Sequence, residues 1–380
     1  MSVNIGIIGL PQSGRTTIFN GLTRGKINTG SHTPKGLAPH IGIARVPEPR
    51  LQTLANMLKP KRVVPTEIRY IDVGASIRDL TKDEAISGQF LTQLSQVDAL
   101  INVVRAFTDE KIPHIEGSLD AARDIATMDL ELIFSDLTII ERRLKRIETS
   151  LKGAKPPERQ GLLHEQELLM KIKANLEKDV PIRELSLTTD EARMITNYQF
   201  LTAKPLLIVV NIGEEQLPQA ASLEAELKAK YPRHHSSVIT VCGKLEMELS
   251  QLDNSAAEEF RAGFGLSESG LDRITKSAYE LLGIISFFTI ASGEIKVWPI
   301  RNGTSAPKAA GKIHSDMERG FIRAEVISYH DLVKCGSLTE ARKKGLLRLE
   351  GKNYIVQEGD VITLSLIHIS EPTRPLYISY

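Results

Sequence analysis

Val3-Asn4-Ile5-Gly6-Ile7-Ile8-Gly9-Leu10-Pro11-Gln12-Ser13-Gly14-Arg15-Thr16-Thr17 is the stretch on which the reading of the whole chain turns. Val3 to Ile8 is a short apolar run rich in β-branched side chains, the composition of a buried strand. Gly9 to Gly14 interrupts it with glycine, proline and serine, and Thr16 to Leu22 resumes with helical character. Strand, glycine-bearing loop and helix in that order let backbone N–H groups and the helix N-terminus surround phosphate. The spacing GxxxxG, basic residue, Thr is that of a P-loop, in which the Thr hydroxyl binds Mg²⁺ and the basic side chain reaches the β/γ-phosphates. Gln12, Ser13, Gly14, Arg15, Thr16 and Thr17 are therefore the candidate phosphate-binding residues, with Thr16 also a metal ligand. Arg15 stands where such loops ordinarily carry lysine. A guanidinium is bulkier and planar, so binding with altered catalysis is expected.

Further strand-like runs fall at Glu67–Ile71, Ala99–Val104, Leu206–Val210 and Val238–Val241, each followed by polar or glycine-containing segments and helix-compatible stretches. Strands alternating with helices predict a mostly parallel α/β sheet, with functional residues at the C-terminal strand ends. Leu130, Ile133, Leu137, Ile140, Leu144, Ile147 and Leu151 recur at alternating spacings of three and four, the a/d seam of a coiled coil. After a breaker at Gly153–Pro157, the residues Leu162, Leu169, Ile172 and Leu176 continue the seam with only Glu165 polar, which predicts an antiparallel helical hairpin inserted into the α/β domain. Thr188 and Glu191 have capping-box spacing. Beyond Gly283 the pattern becomes β-rich, at Ile284–Ile290, Ile295–Ile300, Phe321–Ser328 and Asp360–Leu366. The expected domains are 1–127 with 199–280 (nucleotide-binding), 128–198 (helical insert) and 281–365 (small α+β). Residues 366–380 read as adaptor-derived sequence rather than a native terminus.

The 380 residues are 41% apolar and 25% charged, which supports ordinary cores and excludes a mainly disordered chain. Lys+Arg 48 against Asp+Glu 47 leaves a net charge of +1, so no global polyanion-binding character exists and no DNA specificity is expected. Lys and Arg at 142, 143, 145, 146, 152, 155 and 159 nevertheless gather on the hairpin and its tip, either as a solvated face or as a surface for RNA phosphates. Two distant cysteines, Cys242 and Cys335, form neither a disulfide framework nor a metal knuckle. No apolar run reaches the ~20 residues that span a bilayer, and the N-terminus has no signal pattern, so a cytoplasmic setting is expected.

The stretch GLPQSGRTTIFNGLT resembles the first motif of the YchF-type, Obg-related P-loop NTPases. AAGKIHSDMERGFIRAEVISYHDLV and LEGKNYIVQEGDVI resemble that family's C-terminal TGS-like domain, and the likeness extends over residues 1–365. The resemblance implies a P-loop NTPase G-domain with an inserted coiled-coil hairpin and a C-terminal β-grasp-like (TGS) domain. It further implies a Mg²⁺-dependent ATPase that binds ATP in preference to GTP, with ribosome or RNA as partner.

Residue by residue, Asn211-Ile212-Gly213-Glu214 takes the place of the guanine-reading NKxD motif. Glu214 is one methylene longer than the Asp that faces guanine N1–H and its amine, and the stacking Lys is absent, which matches the family's NxxE and its adenine preference. Cys242 and Gly243 match the loop whose backbone contacts the base, with Gly243 where the family carries Ala; Cys242 is either a redox-sensitive thiol or a small buried residue. Asp72-Val73-Gly74-Ala75 corresponds to DxxG, so Asp72 is the second Mg²⁺ candidate, while Ala75 replaces the closing Gly. Gly36 stands where the family has a Mg²⁺-coordinating Thr, with Thr33 or Ser31 nearby. Ile112-Pro113-His114-Ile115-Glu116-Gly117 matches the family's loop carrying a water-orienting His, which makes His114 the catalytic candidate. Two rivals stay open: a non-hydrolysing nucleotide sensor, favoured by Arg15, Gly36 and Ala75 together, and a ribosome- or RNA-binding adaptor with a vestigial nucleotide site.

Overall fold

The computed structural model describes residues 3–25, 40–72, 92–112, 114–115, 117–231, 235–291 and 293–366. The chain divides into two units, Ser2–Ala44 with Glu67–Leu282, and Arg45–Thr66 with Gly283–Tyr380. In chain order the described elements begin β1 (Val3–Ile8), α1 (Arg15–Thr23), β2 (His40–Arg45), α2 (Pro49–Leu58), β3 (Arg62–Val64), β4 (Glu67–Asp72) and β5 (Ala99–Arg105). The middle of the chain forms α3 (Ala121–Leu151), α4 (Pro156–Leu176), α5 (Thr189–Ile195), β6 (Leu206–Asn211), α6 (Ala220–Lys230), β7 (Ser236–Val241), α7 (Gly243–Leu249), α8 (Asn254–Gly263) and α9 (Gly270–Leu281). It closes with β8 (Ile284–Ala291), β9 (Glu294–Arg301), α10 (Ala306–Ile313), α11 (Ser315–Arg319), β10 (Phe321–Ser328), α12 (Tyr329–Cys335), α13 (Leu338–Lys343), β11 (Arg348–Glu350) and β12 (Asp360–Leu366).

The first unit is a six-stranded sheet in the order β2-β4-β1-β5-β6-β7. β1 pairs in parallel with both β4 and β5, and β5-β6-β7 continue in parallel. β5 and β6 are buried along their whole length, which is why they read as unbroken apolar runs. After β1 the chain builds the β4 side first and then crosses to the β5 side. The C-terminal end of β1 is thus the switch point where doubly wound sheets bind ligands, and the glycine-bearing loop sits there. β2 went unseen in the sequence because, as an edge strand, it alternates half-buried and exposed positions and contains Gly42. This is the P-loop NTPase G-domain architecture.

α3 is one 31-residue helix, capped where Asp120 Oδ1 accepts from Arg123 N at 3.0 Å. It begins nine residues before the heptad seam, at Ala121 against Leu130. Its first turns pack Ile125, Met128 and Leu132 on the sheet, and only from Ile133 onward does it face α4, so the a/d pattern starts where the partner changes. Ile133, Ile140 and Ile147 meet Leu168, Leu169, Ile172 and Leu176 in that second core. Glu165, the polar seam residue, receives two 2.7 Å hydrogen bonds from Arg143 and one from the Tyr198 hydroxyl. Asp136, fully buried, accepts from Leu201 N at 2.9 Å, Thr202 N at 2.8 Å and Thr202 Oγ1 at 2.6 Å, fixing the chain's return from the hairpin to β6. The capping box at Thr188 and Glu191 is present, with both reciprocal bonds.

The second unit is a mixed sheet in the order β11-β10-β12-β8-β9-β3. β12 runs parallel to β8 while β8/β9 and β10/β12 are antiparallel, a β-grasp-like α+β arrangement. Phe287 points into a core with α10, and its neighbour Phe288 into the opposite core with α2, α12 and α13. Here the structure departs from the sequence-based domain limits, because residues 45–66 belong to this unit and not to the first. β3 adds in parallel to β9, and Leu51 and Leu54 of α2 are buried against Phe288, Ile295 and Val297. Arg50 lies over the Phe288 ring at 5.5 Å and pairs with Glu48 and Glu358. A three-residue edge strand and a ten-residue helix carry no pattern that announces a partner 230 residues away. Residues 367–380 lie outside the described residues. No helix among the described residues is long and apolar enough to cross a membrane.

Candidate functional site

The loop after β1 has the backbone a phosphate cradle requires. Gly9 (φ 151°) and Gly14 (φ 89°) adopt conformations that favour glycine, and a Cβ on Gly9 would stand 2.4 Å from the Val103 carbonyl oxygen. Gln12 is left-handed too (φ 64°), and Ser13 N donates to Leu10 O at 3.2 Å to close the turn. Gly14 is the N-cap of α1 and supplies no side-chain cap, so the first turn's N–H groups face the loop. Thr16 and Thr17 follow within that turn.

Two elements bring the metal candidates together. Asp72 ends β4, paired in register with Ile7 of β1, and its Oδ2 accepts from Thr16 Oγ1 at 3.1 Å. Asp72 is only 1% exposed, and its Oδ1 has no hydrogen-bond partner among the described residues. A buried carboxylate oxygen left unpaired beside a threonine hydroxyl is costly in a protein alone and fits a hard divalent cation. Arg15 is drawn toward the same carboxylate. Burial lowers the pKa of its guanidinium, and the charges of Asp72 and of Glu131 on α3 oppose that drop.

Asn211, at the end of β6, joins the phosphate loop to the base side. Its Nδ2 donates to Ser13 O at 3.0 Å and its Oδ1 accepts from Gly243 N at 2.9 Å. The fit is close on both sides, since a Cβ on Gly14 would lie 2.2 Å from Asn211 Nδ2 and one on Gly243 would lie 2.9 Å from Asn211 Oδ1. Glu246, buried in α7, accepts from Ser269 Oγ at 3.0 Å and Gly270 N at 2.6 Å, which anchors the loop bearing Cys242 and Gly243 to the start of α9. A cleft of about 630 Å³ opens beside these residues, lined by Gly14, Thr17, Phe107, Asn211, Glu214, Cys242 and Lys244 among others. Glu214 is paired with Lys244 Nζ at 3.3 Å. Cys242 is buried, and that burial raises its thiol pKa, the surroundings of a small packed residue.

His114 is held away from the wall of this cleft. Its Nε2 lies 2.8 Å from Asp124 Oδ2, with 6% and 3% of the two side chains exposed. Gly36, Thr33, Ser31, Gly74, Ala75 and the segment Ser76–Gly88 lie outside the described residues. Sequence reasoning missed Phe107, Lys244 and Asp124. Phe107 and Lys244 follow strand ends without any spacing signal, and Asp124 reads as an ordinary acidic residue in a helix's first turn.

The family profile YchF-GTPase_C, described as a protein of unknown function (DUF933), matches residues 284–366. The ribosome-binding ATPase YchF of Bacillus subtilis (strain 168) is 37% identical over 364 residues, covering 95% of this chain and 98% of that protein. Its counterpart from Escherichia coli O157:H7 is 34% identical, with 95% and 98% covered. The solved structure of the Schizosaccharomyces pombe YchF GTPase superposes with a TM-score of 0.79 at 29% identity, covering 96% of this chain and 98% of the other. With such identity along nearly the whole length of both chains, this chain belongs to the YchF family.

Proposed function

We propose that the chain is a cytoplasmic, Mg²⁺-dependent ATPase that turns ATP over slowly, prefers it to GTP and couples its nucleotide cycle to the ribosome. The observation that carries this reading is the buried Asp72, with one oxygen on Thr16 and the other unpaired among the described residues, placed beside a glycine-bearing loop and an uncapped helix N-terminus. Backbone N–H groups of residues 12–17 and Arg15 bind the phosphates. Thr16 and Asp72 hold Mg²⁺, which when bound neutralises charge on the β- and γ-phosphates. Asn211 keeps the loop in register, and the backbone at Cys242 and Gly243 borders the base. Glu214 faces the adenine amine, where its extra methylene misplaces it for guanine's paired donors. His114 orients the attacking water. Ribosome binding is taken from the names of the B. subtilis and E. coli relatives, and the basic hairpin tip and the TGS-like unit are the surfaces that suit it.

A non-hydrolysing sensor is the second reading, favoured by Arg15. A guanidinium under the charges of Asp72 and Glu131 suits phosphate binding, but it is bulkier and planar where such loops carry a slim ammonium. Calorimetry of ATP and GTP with and without Mg²⁺, followed by single-turnover measurement, separates the readings. ATP bound more tightly than GTP, in a Mg²⁺-dependent way and with turnover that His114→Ala abolishes, is the expected result. Tighter GTP binding refutes the adenine assignment, and binding without turnover selects the sensor.

A further inference from the structure

The group assigned to orient water is already engaged elsewhere. Asp124 sits in the first turn of α3, almost fully buried, and both its oxygens are used: Oδ2 by His114 at 2.8 Å, Oδ1 by Arg123 at 2.9 and 3.1 Å. Arg123 in turn holds the loop, donating to Ser118 O at 2.7 Å and Ser118 Oγ at 3.0 Å. The turn carrying the histidine is closed by Gly117 N donating to His114 O at 3.0 Å, with Gly117 at φ 76°. Phe107, Asp109 and Ile112 of the same connection line the nucleotide cleft, but His114 is not among the lining residues. The imidazole is therefore docked on the root of the hairpin helix rather than in the cleft.

The same helix reaches the site at a second point. Glu131 lies seven residues beyond Asp124, two turns further along the same face, is 4% exposed and acts electrostatically on Arg15 of the phosphate loop. From Asp124 α3 runs unbroken for about 40 Å toward the hairpin tip. A rigid rod that ends on the histidine loop and leads to an external docking surface transmits displacement of one to the other.

We propose that Asp124 is a positioning residue that latches His114 to the base of α3, so that turnover requires release of this contact and movement of the hairpin sets how often release occurs. The proposal rests on the reading of His114 as the water-orienting group. A charge-assisted hydrogen bond is about twice as strong as a neutral one, so Asp124→Asn keeps the shape of the contact and weakens the latch. The expected result is a rise of about tenfold in kcat with ATP affinity by calorimetry unchanged. In the His114→Ala background the same substitution adds nothing, a dependence that a merely structural role does not produce.

An Asp124→Asn chain with kcat equal to or below wild type, while His114→Ala lowers it, overturns the latch and leaves the His114 assignment standing. Turnover unchanged by His114→Ala sinks the assignment and the latch with it. If the wild-type chain binds ATP without hydrolysing it, appearance of turnover in Asp124→Asn supports the latch and continued silence overturns it. Should the asparagine variant not fold, Asp124→Ala, which removes the carboxylate and suits a helical position, gives the same comparison.

Discussion

Asn211→Ala and Asn211→Asp together test whether the phosphate loop is held in shape from β6. Asn211 is 4% exposed, and its amide bridges Ser13 O at 3.0 Å and Gly243 N at 2.9 Å. Alanine removes two hydrogen bonds worth about 1 kcal/mol each and strands a carbonyl and an N–H in a buried place, about 3 kcal/mol in all. Part of that loss appears as disorder of the loop, which ATP must then re-order, so ATP affinity is expected to fall by about 10–100-fold, or about 1.4–2.7 kcal/mol. Aspartate is the sharper probe. It keeps the acceptor for Gly243 N but sets a carboxylate oxygen against the Ser13 carbonyl oxygen, so it is expected to bind no better than alanine despite its near-identical shape. Calorimetric titration of ATP and GTP reads both. Because the bridge acts on the loop and not on the base, the two affinities should fall by the same factor, in contrast to Glu214→Ala, which should change their ratio. Asn211→Asp binding ATP within about twofold of wild type would falsify the bridge as an organiser of the site.

Thr16→Ala should lower ATP affinity by about tenfold in Mg²⁺ and erase the difference between Mg²⁺ and EDTA, whereas Thr16→Ser should retain it, as calorimetry in the two buffers would show. Glu165→Ala should destabilise the hairpin by about 1 kcal/mol, because the Arg143–Glu165 pair is partly exposed, with 35% and 19% of the two side chains accessible; the loss should shrink in high salt. Glu165→Leu, which completes the seam, should be at least as stable as wild type in a denaturant titration. Burial pushes the Asp136 carboxyl up to about 6, against the pull of its hydrogen bonds with Thr202 and Leu201. The folded state then holds the Asp136 proton more tightly than the unfolded chain, so its contribution is fully present below about pH 4 and is lost as pH rises through about 6. The rise from 3.8 to about 6 corresponds to about 3 kcal/mol, and thermal unfolding across that window should show a slope that Asp136→Asn removes.

Much of the fold was legible because its signals are local. The buried strands β5 and β6 announce themselves as apolar runs, and α4 with the part of α3 from Ile133 onward as a heptad seam, since each of these is packed by one kind of neighbour. What escaped is what depends on distant partners. β2 is an edge strand with an exposed face, and β3 owes its existence to β9, so neither carries a full pattern of its own. The first turns of α3 carry no seam for the same reason, since they answer to the sheet and only later ones to α4.

The candidate site divides along the same physical line. Residues whose role is imposed on the backbone, such as Gly9 and Gly14, can be read from spacing, because a positive φ or a close approach admits little but glycine. Residues whose role is a side-chain partnership cannot. Asp124 shows this most clearly: in sequence it is one acid among several near a helix start, and at that position an acid is already explained by the helix dipole. Only the chain's return through the turn at His114–Gly117 sets an imidazole 2.8 Å from it, and that single distance turns a helix-stabilising charge into a candidate control on the histidine. Glu131 and Arg15 repeat the pattern two turns further along the same face. The arginine that departs from the expected lysine has a buried carboxylate on the hairpin helix within electrostatic reach, a counter-charge that a more slender ammonium would meet less directly. Asp124 and Glu131 thus tie one hairpin helix to both the histidine loop and the P-loop arginine, which is how a substitution that looks like erosion of a motif can be accommodated by the fold around it.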